Sequence, residues 1–105
     1  MKKHAYHNWT RVTKDGIAVY GKCLVSHLSG DGSSGGNVAT IYDGFDDNGA
    51  EFCTLEAAAN QHQPLNFYPP ILFHQGIYVD MASQGQEVVI GYRQVSDAEL
   101  KAMEE

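Results

Sequence analysis

The sequence predicts an all-β domain, an antiparallel β-sandwich or jelly roll of about seven or eight strands closed by a short C-terminal helix. Three observations carry this reading. Segments rich in Val, Ile, Tyr, Phe and Thr are short and separated by glycine and turn residues. Turn signals recur at intervals of about 8 to 12 residues with no helical period between them. Apolar and polar residues alternate in the clearest segments, as in Ile77, Val79 and Met81 against Tyr78 and Asp80.

Taken in order, Trp9 to Thr13 reads as a first strand, and Asp15-Gly16 as a hairpin turn leading into Ile17 to Leu28. That second segment is long for one strand, and its alternation slips at Gly21-Lys22, which predicts a bulge or bend and two pairings. Gly30 to Gly36 reads as a flexible loop between strands. Val38 to Asp43 forms a strand, Asp46-Asp47-Asn48-Gly49 a turn, and Glu51 to Leu55 the returning strand. From Glu56 to Asn66 the signals conflict: Ala57-Ala58-Ala59 favours helix while Gln61 to Asn66 is polar, so the segment is expected to be irregular. Pro69-Pro70 cannot donate ladder hydrogen bonds, which places the next strand start at Ile71 and its end at His74. Gly76 turns the chain, and Ile77 to Met81 and Glu87 to Arg93 read as a hairpin pair. Ser96 with Glu99 forms a capping box for the helix, to which Leu100 and Met103 give an apolar side. The domain organisation that follows is an N-terminal arm over 1–8, a β-sandwich over 9–95 and a helical tail over 96–105. The expected core is Val25, Ile41, Leu55, Phe73, Ile77, Val79 and Ile90, flanked by Trp9, Tyr20, Tyr42 and Tyr92.

Composition bounds the function. Apolar residues make up 43% and charged residues 19% of the 105 residues, a balance that folds but leaves a thin core. A net charge of −6 with no basic stripe makes nucleic acid and anionic membrane poor partners. Met1-Lys2-Lys3 opens like a secretory leader, but polar and aromatic residues follow where an apolar run is required, so no signal peptide is expected. No apolar run approaches the roughly 20 residues of a membrane helix, and a soluble product is expected.

The side chains that carry chemistry in other proteins are present in the wrong patterns. The five histidines include His4 and His7 near the N-terminus and His62 and His74 far along the chain, without metal-ligand spacing, and they read as surface residues. Asp43, Asp46, Asp47, Asn48 and Glu51 concentrate oxygen ligands, but not in the order of an EF-hand, and turn formation explains them without an ion. Cys23 and Cys53 lack CxxC spacing. They read as two small buried hydrophobes kept reduced, with a disulfide within or between chains as the alternative. Ser26, Ser29, Ser33 and Ser34 lie near His27, but no nucleophile elbow accompanies them, and the glycine loop lacks the ending of a phosphate-binding loop. Accordingly no catalytic, cofactor or metal residues are assigned, and the chain is expected not to be an enzyme.

The stretch Gly35-Gly36-Asn37-Val38-Ala39-Thr40-Ile41-Tyr42-Asp43-Gly44, then Phe73-His74-Gln75-Gly76-Ile77-Tyr78-Val79-Asp80, then Val88-Val89-Ile90-Gly91-Tyr92, resembles small structural proteins of tailed bacteriophages. The resemblance covers roughly residues 16 to 93; the tail from Ser96 to Glu105 extends past it, and the pattern does not require the two cysteines. It implies a non-enzymatic virion protein assembled in the host cytoplasm: a capsid decoration or cement protein bound to the major capsid protein, or a neck or tail subunit. It also implies a homo-oligomer, a trimer by preference. The N-terminal arm would lie across a neighbouring subunit or pack on its own domain. A carbohydrate-binding or adhesin-like module is the rival reading, with Trp9, Tyr20 or Tyr68 as a stacking platform.

Overall fold

The computed structural model describes residues 8–32, 36–58, 61–81 and 87–104. They form eight strands, β1 (Asn8–Val12), β2 (Gly16–Tyr20), β3 (Cys23–Gly32), β4 (Asn37–Asp43), β5 (Ala50–Ala57), β6 (Gln61–Phe73), β7 (Gly76–Met81) and β8 (Glu87–Gln94), and one helix, α1 (Asp97–Glu104). Every pairing is antiparallel: β1 with β8, β2 with β7, β3 with β6 and with β8, β4 with β5 and with β7. The strands lie in two four-stranded sheets, ordered β1-β8-β3-β6 and β2-β7-β4-β5.

This is the connectivity of a jelly roll. Laid flat, the chain is one long hairpin whose tip is the turn between β4 and β5, with β3 opposite β6, β2 opposite β7 and β1 opposite β8. Rolling that hairpin sends its rungs alternately to the two sheets. The sandwich predicted from strand spacing is therefore present, but several expected hairpins are not. β1 and β2 occupy different sheets, so Asp15-Gly16 marks a crossing between layers. β7 and β8, which read as a hairpin pair, also lie in opposite sheets, and β4 with β5 is the only sequential pair that is hydrogen bonded among the described residues. Alternating apolar residues identify strands with one buried face, but they carry no information about which strand lies beside them.

The long segment from Ile17 divides at Gly21-Lys22, where the chain changes sheet. Gly21 has φ 91°, a backbone conformation that strongly favours glycine, and its N–H donates to the Gln75 carbonyl at 2.9 Å. The bulges lie to either side, at Ala18 in β2, between the pairs Ile17↔Tyr78 and Val19↔Ile77, and at Ser26 in β3, between the pairs Val25↔Tyr92 and His27↔Gly91. Of the segment expected to be a loop at 30–36, Gly30, Asp31 and Gly32 pair as part of β3, and residues 33–35 lie outside the described residues.

The largest departure is β6. The segment expected to be irregular is strand on both sides, with β5 reaching Ala57 and β6 beginning at Gln61, and β6 runs through Pro64, Pro69 and Pro70. Its place at the sheet edge is the reason. Among the described residues it pairs only with β3, so a residue without an N–H can occupy the outward-bonding positions. Opposite the single residue Ser26, β6 makes an excursion of Phe67, Tyr68, Pro69 and Pro70, with a cis peptide between Tyr68 and Pro69.

All seven expected core residues are buried between the sheets, joined by Val19, Cys23, Leu28, Ala39, Met81 and Val88. Each large aliphatic side chain removed from water there contributes about 1.5–3 kcal/mol. Of the four aromatics expected at the margin, Tyr92 packs against this core, whereas Trp9 and Tyr20 are 62% and 68% exposed. At the β5/β6 edge, Phe52 makes edge contacts with Phe67 (5.6 Å) and Phe73 (5.1 Å) and closes the gap between layers. The capping box is formed: Glu99 N–H donates to Ser96 Oγ at 3.1 Å and Ser96 N–H to Glu99 Oε1 at 3.3 Å. Arg93–Glu99 and Lys22–Asp97 ion pairs hold α1 to the sandwich.

Candidate functional site

The side chains singled out in the sequence are scattered by the fold. His27 lies in β3, His62 in β6 opposite Asp31, and His74 just beyond β6, while positions 4 and 7 lie outside the described residues. Among the described residues no group of three or more His, Cys, Asp or Glu is placed to hold a metal ion. Ser26 Oγ donates to the Gly91 carbonyl at 3.3 Å and Ser29 is buried, so neither presents a nucleophile to His27.

The acidic turn between β4 and β5 has a structural use. Asp46 Oδ1 accepts the Asn48 N–H at 2.9 Å, and the Asp46 carbonyl accepts the Gly49 N–H at 3.2 Å, which is Asx-type turn chemistry. Asp43 instead reaches across to the β6–β7 junction, where its two carboxylate oxygens accept the N–H groups of His74 and Gln75. These residues, with Phe45, Asn48, Gly49 and Ala50, border an open concavity of about 550 Å³.

Both cysteines are free, Cys23 buried and Cys53 half-buried. Burial chiefly, and the Asp43 carboxylate second, push the Cys23 thiol up to about 12; burial and then Glu51 push Cys53 up as well. A thiol held protonated is a poor nucleophile and metal ligand. On the outer face of the β2-β7-β4-β5 sheet, Tyr42 and Tyr78 are cross-strand neighbours with ring centroids 6.1 Å apart. Desolvation first, and then surrounding carboxylates including Asp80 and Asp47, raise both phenols.

The most organised surface lies on the outer face of the other sheet. Pairing aligns four residues across four strands: Trp9 on β1, Gly91 on β8, His27 on β3 and Asn66 on β6. Because Gly91 has no side chain, the Trp9 ring lies across it and meets His27 edge-on, with centroids 5.4 Å apart. A Cβ on Gly91 would stand 3.0 Å from Trp9 Cζ3 and 3.2 Å from Cη2. His27 Nδ1 in turn bonds Asn66 Oδ1 at 2.7 Å. Trp9 was legible in the sequence as an exposed-aromatic candidate. Gly91 and Asn66 were not, because only the β1–β8 and β3–β6 pairings bring them to it.

Further aromatics stand out at other points. Tyr20 and Phe45 face one another at 6.1 Å beside Gly76, and Tyr68, on the β6 excursion, is fully exposed. No helix among the described residues is long and apolar enough to cross a membrane. No protein-family model, curated protein or solved structure matches this chain.

Proposed function

We propose that this chain is a non-enzymatic structural subunit of a tailed-bacteriophage particle, a capsid decoration or cement protein that binds the major capsid protein and stabilises the head. The observation that carries the reading is the set of large apolar side chains turned to solvent. Trp9, Tyr20, Val38, Phe45 and Tyr68 are 62%, 68%, 43%, 47% and 100% exposed on a domain of only 105 residues. Aromatic residues with open faces are the usual anchors of protein–protein contacts, whereas an enzyme concentrates its chemistry in a cleft. The sequence stretches that resemble phage proteins are supporting evidence: they fall on β4 and its turn, on the β6–β7 junction and on β8.

Such a subunit works as a homo-oligomer, with a trimer favoured, because a domain with a thin core gains stability by burying apolar surface between copies. A neck or tail position uses the same surfaces. Mass spectrometry of purified particles tests the reading, together with sedimentation velocity of the isolated protein. Detection in intact heads at a fixed copy number supports it, and absence from intact particles sinks it.

A further inference from the structure

We infer that the Trp9–Gly91–His27–Asn66 row is a binding subsite for a neutral pyranose sugar of a glycan. Stacking surface is the first requirement. The electron-rich face of an indole attracts the weakly positive C–H groups on the flat side of a pyranose ring, and Trp9 keeps 62% of its surface open. Its orientation is set from beneath by Gly91 and from the side by His27, so little rotamer freedom remains to be lost on binding.

Hydroxyl recognition is the second requirement, and the polar end of the row supplies both hydrogen-bonding senses. An amide oxygen only accepts, so the 2.7 Å bond from Asn66 Oδ1 requires the proton on His27 Nδ1. A neutral ring then carries its lone pair on Nε2, an acceptor, while the Asn66 amide nitrogen offers donors. A sugar hydroxyl both donates and accepts, and neighbouring hydroxyls match such a pair. The third requirement is charge. The ionic groups that flank the row along these strands are paired, Arg11 with Glu87 at 3.4 Å and Arg93, two residues from Gly91, with Glu99 at 2.7 Å, which favours an uncharged ligand over a phosphate or an acidic peptide. The row crosses three strand spacings, roughly 14 Å, which suits a short glycan segment lying across the strands.

The subsite does not rest on the virion reading, which keeps Tyr20, Val38, Phe45 and Tyr68 as its anchors when the Trp9 face is given to a sugar. Trp9 is the chain's single tryptophan, so its emission reports this place alone. The full chain is titrated with methyl β-D-glucopyranoside, methyl β-D-galactopyranoside, cellobiose and lactose, with the open-chain polyol sorbitol as control. At least one ring sugar gives a saturable change with half-saturation in the millimolar range while sorbitol gives none. Asn66→Ala raises that half-saturation about fivefold or more, since it removes the hydrogen bonds and leaves the platform. In Trp9→Ala, followed by amide chemical shifts of Gly91 and His27, the sugar-induced shifts disappear; Trp9→Phe retains them in weaker form. The inference is overturned by no saturable response to any of the four sugars up to about 200 mM, where even a millimolar site is full. An equal response to sorbitol, an unchanged half-saturation in Asn66→Ala or persisting amide shifts in Trp9→Ala overturns it as well.

Discussion

Asp43 holds the backbone of His74 from the opposite strand region: its Oδ2 accepts the His74 N–H at 2.9 Å, while Oδ1 accepts the next N–H, that of Gln75, at 2.9 Å. One carboxylate thus ties the β4–β5 hairpin to the β6–β7 crossing. Hydrogen bonds to a charged acceptor contribute about 1.5–3 kcal/mol each when buried, and less where water can replace them, as at this exposed junction. Asp43→Ala is expected to lower unfolding free energy by about 2 kcal/mol. Asp43→Asn, which keeps one acceptor, lowers it by about half as much. Urea denaturation measures both, and equal losses in the two variants would show that the paired acceptors are not the source.

Gly76 sits beside the same junction, and its backbone conformation restricts what can replace it. Its φ is 152°, and a Cβ there would lie 2.5 Å from the Val19 carbonyl oxygen across the β2–β7 pair. Relief would require moving a paired strand. Gly76→Ala should cost more than about 2 kcal/mol, well beyond the effect of an ordinary surface substitution. By contrast, a Cβ on Gly91 would meet the far end of the exposed Trp9 ring at 3.0 and 3.2 Å and the His27 Cβ at 3.2 Å, contacts that a turn of the ring and a shift of a few tenths of an ångström relieve. Gly91→Ala should therefore shift the Trp9 emission maximum while costing less than about 1 kcal/mol. Thermal unfolding and fluorescence of the two variants check the contrast, which fails if Gly91→Ala is as damaging as Gly76→Ala.

How much of this was readable from the residues follows from which interactions are local. Val25, Ile41, Leu55, Phe73, Ile77, Val79 and Ile90 were identifiable as core because period-two alternation is a property of each strand by itself. Ser96 and Glu99 were identifiable as a cap because they are three residues apart. Sheet membership was not, since β1 meets β8 and β2 meets β7 only after the whole hairpin rolls. The prolines of β6 misdirected the strand assignment because they are compatible with an edge, and edge position is a tertiary fact. For the same reason Trp9 could be named as a candidate platform while its partners His27, Gly91 and Asn66 could not.

The two thiols predict an alkaline limit on stability. Cys23, raised from 9.0 to about 12 in the fold, keeps a proton that the unfolded chain releases. Its stabilising effect is complete below pH 9 and declines as pH rises from about 9 toward 12, because the unfolded state then binds fewer protons than the native one. Cys53 shifts in the same direction, and the raised Tyr42 and Tyr78 phenols add to the decline from about pH 10, where the unfolded phenols begin to ionise. Unfolding free energy should fall above pH 9, with a shallower slope in Cys23→Ala even though that variant starts lower. At neutral pH a thiol reagent should modify half-buried Cys53 about tenfold faster than Cys23, and equal rates would contradict the burial assignment.

Adjacent residues on the β6 excursion separate stability from assembly. Phe67 turns inward onto Phe52, whereas Tyr68, its neighbour, is fully exposed. Truncating Phe67 removes a partly buried aromatic and should cost about 2–4 kcal/mol. Tyr68→Ala loses no intramolecular packing and should change stability by less than about 0.5 kcal/mol. If the exposed aromatics anchor the subunit on a particle, the same Tyr68→Ala change should weaken binding to undecorated heads about tenfold or more, as removal of a central interface tyrosine does. Co-sedimentation with such heads measures the effect. Unchanged binding by a fully folded Tyr68→Ala protein would remove β6 from the interface and leave Tyr20, Val38 and Phe45 to supply it.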